Sequence, residues 1–336
     1  MPSPALDANA NPNAALDPIP WPLEALWQAV EPTLPGFTCE MLPSVDSTNA
    51  ELMRRFKNGQ TEPILLLAEQ QTAGRGRLGK RWLSARGDSL TFSIGMLLSP
   101  AAWSGLSLAV GVSLAESLDP AFSPDHHIAL KWPNDLWLVH QVNQSGVRAS
   151  GTQAPASELK LAGVLIETAT WEGARYVVIG VGINIRAISL EDVPTSEMAA
   201  VPPGHLQQLY PQLDAAGTLL QILPSLMQTV QAFSEFGFEP FQERFARRDV
   251  LANREVTLSD NTVGKAHGVS ADGGLLVYTA SGMQVVASSE ISIRPAPAPD
   301  LNFAKAARPG KTAESGESAK NVESMSRRAA NEDISA

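Results

Sequence analysis

The chain has 336 residues, 44% of them hydrophobic, a formal net charge of −10 and a single cysteine, Cys39. That length can bury a substantial core without covalent staples, and one thiol excludes an internal disulfide framework. The acidic balance argues against a nucleic-acid coat, the start has no basic-then-apolar leader, and no apolar run is long enough for a bilayer. The expectation is therefore a cytoplasmic protein with no nucleic-acid or membrane partner.

Residues 1–20 are rich in Pro, Ala and Asn without periodicity, and 1–36 reads as a disordered or loosely packed leader. Thr48-x-x-Glu51 predicts a capping box, followed by a helix with Leu52, Met53 and Phe56 on its apolar face. Residues 64–68 and "SLTFSIGML" at 89–97 predict strands, the second with Leu90, Phe92, Ile94 and Met96 on one face. A helix is expected at 105–118, short strands at 128–132 and 135–139, and further strands at 161–169 and 175–185. Between them, 140–158 reads as an inserted surface loop. Helices follow at 217–234, interrupted by Pro224, and at 238–249. From Glu255 short strands alternate with turns, the texture of a small β-barrel, and 296–336 returns to a disordered composition. The pattern is α+β: a main domain over 37–250 with a mixed sheet, and an all-β domain over 251–295.

The densest cluster of glycine and cation follows the strand at 64–68. Gly74-Arg-Gly-Arg-Leu-Gly79-Lys80 fits most of a phosphate-binding P-loop, but the final hydroxyl position is Arg81 and the next element is a strand. A nucleotide-triphosphate loop of that type needs the hydroxyl for Mg²⁺ and a helix N-terminus behind the phosphates. "GVGIN" at 180–184 likewise lacks the third glycine of a dinucleotide fingerprint. Taken singly, both are weak signals.

Other stretches set polar groups among apolar ones. "VDSTNAEL" at 45–52 is also what ordinary N-capping looks like, and "LKWPNDLWL" at 130–138 also what a Pro turn looks like. Lys160 opens the apolar run "KLAGVLIE", where a strand-edge lysine would serve as well. Gly180 and Gly182 lie inside a strand, a placement that weakens it but admits close approach of another group.

Together, "DSTN" (46–49), "GRGRLGKRW" (74–82), "KWPND" (131–135), "KLAGVLIE" (160–167) and "GVGIN" (180–184) resemble the biotin protein ligase family in order and spacing. "NREVTL…GVSADGGLLV…EISIRP" resembles the family's small SH3-like C-terminal domain. The resemblance covers about 37–295. It implies a catalytic domain related to class II aminoacyl-tRNA synthetases, with a mixed sheet and flanking helices. Only 45 residues precede Asp46, several of them prolines, and no helix pair reads there, so the expected form lacks the repressor domain of some members.

The resemblance implies two steps. Biotin attacks the α-phosphorus of ATP to give biotinyl-5′-adenylate, with Mg²⁺ as companion ion. A lysine of a biotin carboxyl carrier protein, of acetyl-CoA carboxylase or a related carboxylase, then displaces AMP. Bringing a carboxylate against a polyanion calls for fixed positive charge in a dry site. By resemblance, Arg75, Arg77 and Lys160 are the catalytic cations. Gly74, Gly76 and Gly79 let the hairpin fold over the ligand. Ser47, Thr48, Asn49 and Gln71 hold biotin, whose slot is walled by Gly163 and Gly182. Trp82, Lys131, Asn134 and Asn184 serve the nucleotide together with Arg77. Asp135 is a candidate for Mg²⁺ or for orienting Lys131. A homodimer through a sheet edge is also compatible. The alternatives are a lipoate or octanoate protein ligase, and a non-enzymatic biotin-binding regulator.

Overall fold

The computed structural model describes residues 19–123, 126–140, 157–171, 173–189, 201–287 and 294–295. The inserted loop expected at 140–158 and the tail after 295 therefore lie almost wholly outside the described residues. The larger sheet has β1 (Thr38–Leu42), β2 (Ile64–Ala68), β3 (Ser89–Leu97), β4 (His126–Lys131), β5 (Asp135–His140), β6 (Ser157–Trp171) and β7 (Ala174–Asn184), in the order β1-β2-β3-β7-β6-β5-β4. Only β1 and β2 run parallel, so the sheet is mixed, as expected.

Both faces of this sheet are buried, which is why β2 reads as an unbroken apolar run rather than an alternation. Leu65 and Leu67 join a large cluster with helices α1 (Leu23–Val30), α3 (Leu106–Leu118), α4 (Ala215–Phe236) and α5 (Glu239–Ala246). Leu66 points the other way, to Leu52 and Phe56 of α2 (Thr48–Lys57). Helix α2 starts one residue before the expected box. Ser47 is the N-cap and accepts from Ala50 N, while Glu51 is drawn into ion pairs with Arg54 and Arg55.

Two expectations are corrected. The segment 1–36 is not a loose leader throughout: α1 buries Leu26 and Val30 completely, and Trp21 Nε1 donates to Glu69 Oε1 at 3.3 Å. Pro224 does not interrupt its helix, for α4 runs through it from 215 to 236. Proline removes one backbone donor and crowds the preceding turn. Here Leu219, Ile222, Leu223, Leu226, Met227, Val230 and Phe233, all buried, hold the helix in place regardless.

The second sheet comprises β8 (Glu255–Thr257), β9 (Val263–Val269), β10 (Leu275–Thr279), β11 (Gly282–Val286) and β12 (Arg294–Pro295), in the order β11-β10-β9-β8-β12 and antiparallel throughout. Its inner residues Val256, Ala266, Leu275 and Val277 share the main core. Its β9–β10 turn meets the larger sheet's machinery: Trp132, fully buried, donates from Nε1 to Gly273 O at 3.1 Å, and Ser104 Oγ donates to Asp272 O at 2.6 Å.

Candidate active site

Register brings the motif residues into line. Reading across the sheet, Ala68 pairs with Thr91, Thr91 with Gly182, Gly182 with Gly163, Gly163 with Asp135, and Asp135 with Lys131. Directly paired residues share a face, so this row forms a strip with two glycines at its centre. Strands lie about 4.8 Å apart, so Thr91 and Asp135 are separated by about 14 Å.

The Trp82 indole lies on those glycines. A Cβ at Gly182 would overlap its ring, and one at Gly163 would sit 3.5 Å from it. The two glycines therefore make room for a side chain of the hairpin, where the sequence had them bare as walls of a slot. Trp82 Nε1 is buried and has no hydrogen-bond partner among the described residues. Lys160 Nζ stands 5.9 Å from the ring centroid.

Trp82 is carried by a short hairpin. Trp82 N donates to Gly74 O at 2.9 Å, and Gly76 N donates to Lys80 O at 2.6 Å, with a turn of 3-10 helix over Arg77–Gly79 at the tip. A Cβ on Gly74 would fall 2.6 Å from Trp82 O, and Gly79 has φ +71°, so these two positions need glycine for the hairpin's own geometry. Gly76 is under no such demand. Its backbone φ is negative, and the nearest approach of a Cβ would be 3.4 Å. Below the hairpin, Ser84 Oγ accepts from Gln71 N at 2.8 Å, and Arg86 pairs with the buried Glu69 at 2.6 Å.

At the β3 end of the strip lies a polar nest. Gln71 Oε1 accepts from Thr48 N at 2.8 Å and Thr48 Oγ1 at 3.1 Å, and Ser93 Oγ lies 2.6 Å from both Thr48 Oγ1 and Asn49 Oδ1. Ser47 is occupied as the helix cap. Asn49, expected at biotin, also fastens the fold. Its amide donates to Glu167 Oε2 at 2.8 Å and Leu165 O at 3.3 Å, and it fills the space that Gly180 leaves open, which fastens α2 to the sheet.

At the β5 end the cations gather. Lys160 Nζ forms an ion pair with Asp135 Oδ1 at 2.7 Å, so Asp135 is committed to Lys160 as well as facing Lys131. Burial pushes the Lys131 ammonium down to about 8. Asp135 pulls the other way, while Lys160, Lys80 and Arg77 add to the depression. Burial also lowers Arg77, which feels the opposing charge of Asp135 across the gap. The hairpin tip and the strip thus face the same carboxylate, whereas Arg75 is exposed and bridges to Arg81.

Two asparagines expected at the nucleotide also hold the chain. Asn134 Nδ2 donates to Val164 O at 2.7 Å, tying the 132–135 turn to β6. Asn184 Nδ2 donates to Gly204 O at 3.0 Å and Lys160 O at 3.3 Å. The sequence reading also missed Ser93, Glu69, Arg86 and the segment 202–204. Ser93 and Glu69 were visible as polar residues in or beside apolar strands. The segment 202–204 offers no local signal.

The chain matches the Biotin/lipoate A/B protein ligase family over residues 41–184 and the biotin protein ligase C-terminal domain over 252–294. It is 31% identical to the bifunctional ligase/repressor BirA of Escherichia coli, over 78% of this chain and 76% of that protein. To the biotin–[acetyl-CoA-carboxylase] ligase of Paracoccus denitrificans it is 27% identical, over 75% of this chain and 98% of the other. Among solved structures, the biotin protein ligase of Aquifex aeolicus in complex with biotin and ATP superposes with a TM-score of 0.58 at 28% identity, covering 77% of this chain and 99% of that one. With motif order, sheet register and these likenesses in agreement, the chain belongs to the biotin protein ligase family.

Proposed function

We propose that this ligase activates biotin on the strip between Thr48 and Lys131 and passes it to a lysine of the biotin carboxyl carrier protein of acetyl-CoA carboxylase or a related carboxylase. The observation that carries the reading is the polarity of the strip. Neutral donors and acceptors (Thr48, Gln71, Ser93) occupy one end, and Lys160, Lys131 and Arg77 converge on Asp135 at the other. A ureido ring both donates and accepts hydrogen bonds and suits the first end, and a carboxylate meeting a triphosphate suits the second. The apolar arm of biotin lies along the Trp82 indole, whose unpartnered N–H is a donor for a ligand oxygen.

In the first step Lys160 and Arg77 neutralise the carboxylate oxygen and the α-phosphate as the C–O–P bond forms and pyrophosphate leaves. In the second, the same cations stabilise the oxyanion at the biotin carbonyl while the acceptor amine adds and AMP departs. The hairpin closes over the adenylate and keeps water from it. Asp135 does not fit the role of a metal ligand, being paired with Lys160, and no group of three or more His, Cys, Asp or Glu side chains gathers among the described residues. The second sheet is read as the SH3-like domain of the family, and the larger one as the class II synthetase-like fold.

The test is mass spectrometry of a carrier domain incubated with the protein, biotin and MgATP. One added biotinyl group on one lysine is expected, undiminished by excess lipoate. Modification by lipoate in place of biotin, or no pyrophosphate release, would overturn the assignment.

A further inference from the structure

The arm that returns from the hairpin is fastened, at every second residue, to the chain that leads into it. Trp82 N donates to Gly74 O at 2.9 Å, Ser84 Oγ accepts from Gln71 N at 2.8 Å, and Arg86 Nε lies 2.6 Å from Glu69 Oε2. The first two ties are neutral hydrogen bonds. The third is an ion pair on a carboxylate only 5% exposed. Side chains alternate along a strand. Leu66 faces α2 and shares that face with Ala68 and the strip, while Leu65 and Leu67 face the large cluster that includes Leu26 and Val30 of α1. Glu69, one step past Ala68, follows Leu65 and Leu67 to the α1 side, whereas Trp82 rests on the strip. The arm therefore crosses the end of the sheet, with its indole on one face and its guanidinium on the other. The second carboxylate oxygen is taken from the N-terminal direction. Trp21, two residues before α1 begins, donates from Nε1 to Glu69 Oε1 at 3.3 Å.

We propose that Glu69 and Arg86 are positioning residues for the hairpin, a clasp at its base, and that Trp21 links the opening of the hairpin to the segment before α1. The inference rests on the reading of the hairpin as the cover over the adenylate. A carboxylate this deep is costly unless its oxygens are engaged. Loss of Arg86 leaves Glu69 charged and half-satisfied, which favours a hairpin base that opens and admits water. Loss of the Trp21 donor acts in the same direction but more weakly, because a neutral N–H at 3.3 Å gives less than a guanidinium at 2.6 Å. The three side chains meet on the α1 side of the sheet, opposite the strip, so the cations that face Asp135 keep their places. What changes is how long the adenylate is kept.

The experiment reads the full chain in three ways: the pyrophosphate burst with saturating biotin and MgATP, adenylate retention after rapid gel filtration, and amide hydrogen exchange. Arg86→Gln should release adenylate about tenfold faster, with a burst within about twofold of wild type. Exchange over residues 74–82 should quicken by a similar factor while that of β2 and β3 stays as it was. Arg86→Lys, which keeps the charge, should fall between wild type and Arg86→Gln, and Trp21→Phe, which keeps a ring but no donor, should speed release about threefold. Adding Glu69→Gln to Arg86→Gln should change release by no more than about twofold, the mark of a shared contact. Unchanged release and exchange in a folded Arg86→Gln, a burst that falls as far as retention does, or additive losses in the double variant would overturn the proposal. An unaltered Trp21→Phe would overturn the link to the N-terminal segment. Quickened exchange with normal retention would instead overturn the hairpin's role as cover and leave the clasp standing.

Discussion

Arg77 and Lys160 are both cations directed at Asp135, yet the chain holds them by different means. Arg77 rides on a nine-residue hairpin whose tip exposes Leu78 (62%). Lys160 sits in a strand paired to β5 on one side and strapped by 202–204 on the other. The hairpin is therefore expected to open more readily than the strand that carries Lys160 moves. On the proposed reading both cations act in bond formation, with the fixed one carrying most of that task and the movable one serving chiefly to retain what has formed.

Removing the fixed charge should do the most damage. Lys160→Ala is expected to depress adenylate formation by a factor of about 10²–10³, the usual loss for a preorganised donor, measured as the pyrophosphate burst in rapid quench. A normal burst would reduce Lys160 to a strand-edge cation. Next comes the seam between the two regions. Gly182→Ala puts a methyl into the Trp82 ring, lifting the indole and, with it, the hairpin. A displacement of about 1 Å at a site can cost about 10²-fold, so kcat/KM for biotin should fall by that order. Combining it with Trp82→Leu should recover part of the loss. If Gly182→Ala is harmless, the indole does not rest on the strip during turnover.

Weakening the movable charge should separate the two steps. Arg77→Gly leaves the strip intact, so adenylate still forms, but it should escape about tenfold faster, the equivalent of one lost charge-assisted hydrogen bond. The readouts are adenylate retention after rapid gel filtration and biotinylation of bystander proteins. A fall in the burst as large as that for Lys160→Ala would erase the distinction between hairpin and strand.

How much of this was legible in the sequence follows the same division between local and distant causes. The strand at 89–97 could be read to the residue, because its apolar alternation is local. Helix α1 had its signal too, with Leu23, Leu26, Trp27 and Val30 at helical spacing, but Pro20, Pro22, Pro32 and Pro35 around it made the segment read as irregular. Strand β1 is a half-exposed edge and alternates poorly. In the site, the cations and glycines were recognisable by type and spacing. The targets of Asn49, Asn184 and Trp82 were not, since each bonds or packs across the sheet to residues 20 or more positions away. Gly182 was read as bare backbone for the same reason: nothing near it announces that Trp82 will lie there.

The smallest expected effect tests whether Lys131 belongs with the fixed charges. It ends β4 opposite Asp135, and burial lowers it to about 8, so it changes charge within the working range of an enzyme. Below about 8 it is a cation facing a polyanion, and above it that attraction is lost. Between pH 7 and 8.5 the protonated fraction falls about fourfold, and ATP affinity, measured by calorimetry, should weaken by up to that factor. Stability should move in the opposite direction. The folded state releases this proton before the unfolded chain does, so the cost of burying the ammonium is relieved as pH rises through about 8. Lys131→Met should remove that rise in stability with pH and give the weaker affinity at every pH. Lys131→Arg, which keeps its proton, should bind ATP with no step near pH 8. A step that survives in Lys131→Arg would belong to another group, and Lys131 would then be only a buried neighbour of the site.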